Sequence, residues 1–169
     1  MSHYQRTTRE CTLDELHPEL ARAIRQYFQQ HEIGNIEAEI LMCCETSSAR
    51  TSTNWLDAKL NSDLDTNTTL ALLLTPQRLV WALNGERSGT VAASALLKDL
   101  GVKVFAPKGT QDFGLDVYGR MEGTTVRAGG KLVMGSEAAA KKFCEELGKA
   151  MQKLYPPKAK RARPKWLGG

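Results

Sequence analysis

The sequence predicts an α+β domain: a strongly bent antiparallel sheet, or small open barrel, of about seven strands, with an N-terminal helix and a long C-terminal capping helix. Three observations carry this expectation. Residues 70–85 (LALLLTPQRLVWALNG) hold two apolar runs of strand length, 70–74 and 79–83, separated by Thr75-Pro76-Gln77-Arg78, which supplies a turn. Apolar residues at helical spacing make a stripe near each end of the chain, over 16–28 and 139–154. Between residues 36 and 134 short apolar or alternating segments follow one another with Gly, Asn and Ser punctuation, the mark of a β-meander. Seven such strands and one long amphipathic helix suit a curved sheet whose open end the helix plugs.

Taken in order, residues 1–11 are polar and are expected to be a flexible N-terminus. Thr12-Leu13-Asp14-Glu15 has the pattern of a capping box, in which Glu15 reaches back to the Thr12 amide. Pro18 is tolerated only in a first turn, so the regular helix begins either at Thr12 or at Pro18 itself. Leu16, Leu20, Ile24 and Tyr27 or Phe28 make its apolar stripe, and Gly34 is the expected C-terminal cap. Residues 36–46 (IEAEILMCCET) alternate at first, placing Ile36, Ala38, Ile40 and Met42 on one side of a strand, although the same run could also form a helix. Adjacent Cys43 and Cys44 then point to opposite faces.

Residues 47–69 form the longest irregular stretch, rich in Ser, Thr, Asn and Asp. Within it Trp55, Leu56, Leu60 and Leu64 fit a short amphipathic turn, and loops of this length are usually functional or mobile. After the central hairpin, Asn84-Gly85 tolerates the positive φ angles of a second tight turn. Residues 86–93, 102–106, 112–121 and 124–134 are expected to be strands, with Glu122-Gly123 as a turn. Ser136 is a good N-cap and Glu137 suits the positive end of a helix dipole. The closing helix over 137–154 has a core stripe of Ala139, Phe143, Leu147, Ala150 or Met151, and Leu154, and Pro156-Pro157 stops it.

Composition bounds the function. The 169 residues suffice for one domain with a core. Apolar residues make up 41% and charged residues 25%, as in ordinary globular proteins. No apolar run approaches the ~20 residues of a spanning helix, and MSHYQRTTRECTLDE lacks the apolar stretch of a secretory signal. A cytoplasmic location is expected, with Cys11, Cys43, Cys44 and Cys144 as reduced thiols, since no CxxC pair is present.

The charge of +4 is unevenly placed. Five of the 23 Lys and Arg lie in residues 156–169 (PPKAKRARPKWLGG), with no acid among them, leaving 18 basic against 19 acidic residues elsewhere. Three segments result: the flexible 1–11, a domain over 12–155, and a basic, disordered tail over 156–169.

No catalytic or metal pattern emerges. The start of a calcium loop at Asp63-Leu64-Asp65-Thr66-Asn67 lacks the required Gly, where Thr68 stands, and the terminal Glu, where Leu74 stands. His3, His17 and His31 are not at zinc-ligand spacing with the cysteines. Gly129-Gly130-Lys131 is not a phosphate loop, and no GxSxG occurs. Asp112 and Asp116 could share a strand face, but paired carboxylates on an exposed strand are common without catalysis. Arg78 is expected to pin the central hairpin by an ion pair, and Trp81 to be a core aromatic.

The run LLLTPQRLVWAL, with the leading helix and the closing helix, resembles the bacterial PH-like domains, relatives in fold of pleckstrin-homology and GRAM domains. That resemblance spans residues 12–155 and implies a binding or assembly module without cofactor rather than an enzyme. Phosphoinositide-binding relatives place several cations around the first two strands. Here that region has Arg50 and Lys59 among Asp57, Asp63 and Asp65.

Two functional expectations follow. The first is protein–protein contact or self-association through the sheet edge or the 47–69 loop, with Trp55, Leu56 and Leu60 as the contact. The second is docking on a polyanion, nucleic acid or anionic membrane, through Lys158, Lys160, Arg161, Arg163, Lys165 and Trp166. An enzyme whose residues meet only in three dimensions ranks last.

Overall fold

The computed structural model describes residues 4–51, 65–108, 112–125 and 127–155. The α+β expectation holds, with a difference in the sheets. Among the described residues eight antiparallel strands form a five-stranded sheet, ordered β1-β2-β3-β4-β5, and a separate three-stranded sheet, β6-β7-β8. The sheets do not close into a barrel. The break falls after β5 (Gly89–Leu96), where a 3-10 turn at Leu97–Asp99 buries Leu97. The Leu97 amide donates to the Gln77 carbonyl at 2.8 Å. This turn carries the chain into β6 (Leu100–Phe105) away from β5, so β6 pairs with β7 instead.

β3 (Asn67–Leu74) and β4 (Arg78–Gly85) are the central hairpin, registered Leu74 to Leu79. The Thr75 hydroxyl accepts from the Arg78 and Gln77 amides at 3.0 and 3.3 Å, closing the turn. The uninterrupted apolar run of β3 reflects a strand covered on both faces. Leu70, Leu72 and Leu74 face a core between the two sheets, while Ala71 and Leu73 face a second core on the far side. Cys44 and Cys43 divide in the same way on β2 (Met42–Arg50), as alternation requires.

α1 (Pro18–Gln30) covers the far face, packing Leu20, Ala21, Ile24 and Phe28 against Cys43, Leu73, Val80 and Ala82. Both proposed starts are realised. Thr12 opens a 3-10 turn at Leu13–Glu15, where the Glu15 carboxylate accepts from the Thr12 amide at 2.7 Å. Pro18 then begins the regular helix. The C-terminus is capped not at Gly34 but at Glu32, whose φ is 53°. The Ile33 amide bonds the Phe28 carbonyl and the Glu32 amide the Gln29 carbonyl, a Schellman arrangement sealed by buried Ile33 and Phe28. A side chain in this left-handed conformation costs ~1–2 kcal/mol relative to the right-handed one. Glu32→Gly is therefore expected to raise stability by about 0.5–1 kcal/mol in urea denaturation, and a loss of stability would overturn this account of the cap.

Three expectations are corrected at the strands. Tyr4–Glu10, expected to be flexible, is the edge strand β1, paired with β2 along its length. Its single buried residue is Thr8, so hydrophobic alternation gave no signal. Polar bonds hold it instead. The Thr8 hydroxyl bonds that of Thr46 at 2.8 Å and accepts from the Gly135 amide, while its amide donates to Glu137.

Residues Ile36–Glu39 form a 3-10 turn, and the strand starts only at Met42. It runs on to Arg50, into the stretch expected to be irregular. The second tight turn needs its positive φ at Gly89, not at Gly85. Gly85 pairs with Gly89 across Glu86-Arg87-Ser88, the three-residue loop with a glycine bulge. Gly85 serves a different purpose, because a Cβ there would fall 2.0 Å from the Asp65 carboxylate. That carboxylate accepts from the Ser88 hydroxyl and the Arg87 amide, bonds that hold it below the usual carboxylate range.

α2 (Ala138–Leu154) starts one residue later than expected, at an N-cap of Glu137. It buries Ala140, Phe143, Leu147 and Ala150 in the core between the sheets, among Leu72, Leu79, Leu97, Leu115 and Met134. Ala139 is only partly buried and Leu154 is exposed, so the stripe runs one residue off the expected one at its start. No helix among the described residues is long and apolar enough to cross a membrane.

Candidate functional site

The contact residues expected from the sequence, Trp55, Leu56 and Leu60, lie outside the described residues, as do Lys158, Lys160, Arg161, Arg163, Lys165 and Trp166. Arg78 does pin the hairpin. Its Nε donates to both Glu122 oxygens at 3.0 and 3.1 Å. Trp81 is half-buried and packs against the core between the sheets. Asp112 and Asp116 do not make a carboxylate pair, since Asp112 is bound by Arg6. Among the described residues no cluster of His, Cys, Asp or Glu could hold a metal ion.

The most distinctive surface is one the sequence reading did not pick out, the solvent face of β6, β7 (Phe113–Arg120) and β8 (Arg127–Met134). Alternation assigns it. Leu115, Val117, Leu132 and Met134 turn into the core, so the intervening residues turn outward. Cross-strand register arranges these outward residues in rows. Lys103, Asp116 and Lys131 make one row, Gly101, Tyr118 and Gly129 the next. Arg120 and Arg127 are directly opposed in the last.

Tyr118 is 58% exposed although it sits mid-strand on the central strand of its sheet. Glycines on both sides explain this. A Cβ at Gly129 would come within 2.9 Å of the Tyr118 ring, so only glycine lets the ring lie over that strand. A second aromatic, Phe105, has its ring over Gly114 on the same face, with the Lys131 ammonium 5.6 Å from its centroid.

The face carries four cations, Lys103, Arg120, Arg127 and Lys131, against one carboxylate, Asp116. None of the four forms an ion pair with a described residue. Like charges directly across a sheet are destabilising, so the opposed arginines cost stability unless an anion joins them. Around them lies a polar cleft of about 400 Å³ that also takes in Lys98 and Asp99. Close approach of that turn is possible because residue 119 is glycine, where a Cβ would meet the Asp99 carbonyl oxygen at 2.4 Å.

The end of α2 meets the same turn. Tyr155, the last described residue, donates its hydroxyl to the Lys98 carbonyl. The signal for this face was present in the sequence as period-two alternation in Asp116-x-Tyr118-x-Arg120 and Arg127-x-Gly129-x-Lys131. Reading it required knowing which parity pointed outward.

A second concave surface lies between the sheets, a cleft of about 240 Å³ lined by Arg6, Leu70, Trp81, Leu83, Val91 and Lys131, among others. At its rim Leu83 and Val91 are directly opposed across β4 and β5 and both are exposed. No family model matches this chain, and neither a curated protein nor a solved structure is detectably similar to it.

Proposed function

We propose that this chain is a non-enzymatic, PH-like binding module that docks a phosphate-bearing polyanion, single-stranded nucleic acid, on the outer face of β6–β8. The observation that carries this is Tyr118, bared between two glycines and bracketed along its strand by Lys103 and Lys131 on either side of Asp116 and by the opposed Arg120 and Arg127, cations that form no ion pair with a described residue. A flat aromatic flanked by cations offers a base a stacking surface and its phosphates counter-charges. A membrane headgroup layer would use the charges but has no need of the glycine floor. Residues 156–169 add five further cations and no acid to the attraction for a polyanion.

Two antiparallel sheets with a C-terminal helix packed between them support the PH-like reading. Four unbridged thiols suit a cytoplasmic site of action.

The test is titration of the full-length protein with a fluorescent oligothymidylate at about 0.05 and 0.15 M salt, where the Debye length shortens toward ~8 Å. Tyr118→Ala is expected to weaken binding by the ~1–3 kcal/mol of one stacked base, leaving the salt slope unchanged. Arg120→Ala and Arg127→Ala should each lower that slope by roughly one phosphate contact. Undiminished affinity in Tyr118→Ala, or equal affinity for anionic vesicles, would remove the stacking role.

A second reading, protein contact or self-association, is favoured by the exposed Leu83–Val91 pair. Sedimentation distinguishes it: a wild-type oligomer that Val91→Asp dissociates supports this surface, and a wild-type monomer counts against self-association.

A further inference from the structure

Beyond the sheet face, the cysteines are unevenly disposed. Cys11 follows β1 and keeps its register, one step past the pair Glu10–Cys44, so it stands directly across from Cys43. The Cys11 amide donates to the Cys43 carbonyl at 3.1 Å and the two sulfurs are 3.8 Å apart. Cross-strand neighbours hold their Cα atoms ~4.5–5.5 Å apart, within the ~4.4–6.8 Å span a disulfide accepts. The pair is therefore within reach of a bond by side-chain rotation and a small adjustment of the strand end.

The pair is also reachable from outside. It borders a cleft of about 360 Å³ whose walls include Thr12, Glu37, Ile40 and Leu41. Cys11 is partly exposed, whereas Cys43 is buried beneath it against the α1 core. We propose that Cys11 and Cys43 form a peroxide-reactive dithiol in which Cys11 is attacked first and Cys43 resolves it into a disulfide.

The chemistry balances with hydrogen peroxide as oxidant. The Cys11 thiolate attacks one peroxide oxygen, forming the S–O bond and breaking O–O, and the displaced hydroxide takes a proton to become water. The Cys43 sulfur then attacks the Cys11 sulfur, and the S–S bond replaces S–O. The departing hydroxide leaves as water with the Cys43 proton. Two thiols are oxidised by two electrons and one peroxide is reduced to two waters.

Electrostatics favour this order of events. The hydrogen bond from Cys43, and secondarily the Arg9 charge, pull the Cys11 thiol below its ordinary range against its own burial and against Glu45 and Glu15. The same hydrogen bond and burial push Cys43 up, so the shared proton stays with Cys43. Burial pushes Cys44 up to about 12 and Cys144 up to about 11, which leaves both as inert thiols at neutral pH. Oxidation would staple the end of β1 to β2 just before the turn that leads into α1.

The test exposes the full-length protein to hydrogen peroxide, quenches with an alkylating maleimide and maps cysteines by peptide mass spectrometry. The expected result is a Cys11–Cys43 cross-link, lighter by two hydrogens and reversed by dithiothreitol, with Cys44 and Cys144 alkylated as free thiols. In Cys43→Ser, Cys11 should be trapped by dimedone as the sulfenic acid, and in Cys11→Ser no cross-link should form. A cross-link through Cys44 or Cys144 overturns the assignment. So does peroxide treatment that leaves Cys11 and Cys43 alkylated, or a Cys11 no faster than Cys144 toward iodoacetamide in the untreated protein.

Discussion

Replacing Phe143 by Ala is expected to lower the stability of this protein by about 3–5 kcal/mol, the range for a large aromatic removed from a packed interior. The magnitude follows from its position. Phe143 is 0% exposed and projects from α2 into the core that joins both sheets. Strands from the two sheets make no shared ladder, so this apolar core does what a continuous sheet would have done by hydrogen bonds. The cavity left by the ring would lie among Leu72, Leu97, Leu115 and Met134, which come from different elements and cannot all relax toward it. For a chain of this size the melting temperature should fall by on the order of 10 °C. Lys149→Ala, on the solvent side of the same helix, should stay within about 0.5 kcal/mol. A Phe143→Ala melt that overlays the wild type would refute the packing of α2 between the sheets.

Glu122→Ala is the second large effect, at about 2–3 kcal/mol. Glu122 sits in the turn between β7 and β8, yet its carboxylate is mostly buried and reaches two other elements. It accepts from the Arg78 guanidinium at the central hairpin and from the Ser94 hydroxyl on β5 at 2.5 Å. Its backbone joins in, with the amide donating to the Ser94 carbonyl and the carbonyl accepting from the Tyr27 hydroxyl of α1. Truncation would leave the fully buried Ser94 hydroxyl with a single long bond to Tyr27 at 3.4 Å and the Arg78 charge half-buried. An orphaned buried donor costs ~1–3 kcal/mol and a charged one more. Ser94→Ala alone should cost less, and the double variant should fall short of the sum by at least ~0.5 kcal/mol. Strictly additive losses in urea unfolding would show that the four groups do not act as a unit.

How much of this was legible depends on the kind of force involved. Where hydrophobic periodicity decides, the sequence was sufficient. The stripe of α1 through Leu20, Ile24 and Phe28, the central hairpin and the Phe143–Leu147 face of α2 were all readable, because burial of apolar area is local in its pattern. β1 escaped notice because polar pairing holds it: Thr8 meets Thr46, Gly135 and Glu137, partners 38 to 129 residues away from it in the chain. The helix cap at Glu32 escaped because glycine is the default for a left-handed residue, and here the Ile33–Phe28 contact overrides it.

The sequence by itself determined the class of the protein. Its two amphipathic helices, its strands and the concentration of basic charge in residues 156–169 follow from composition and period alone. Only the tertiary structure decided that the strands divide into sheets of five and three, because that choice rests on where the Leu97–Asp99 turn sends the chain. Only it decided which parity of β7 faces water, and hence that Tyr118 and four cations share one surface while Leu115 and Val117 face the core. It also set Cys11 across from Cys43. The reason is the same in each case: a strand's pattern fixes what alternates, but its partners fix which side is inside.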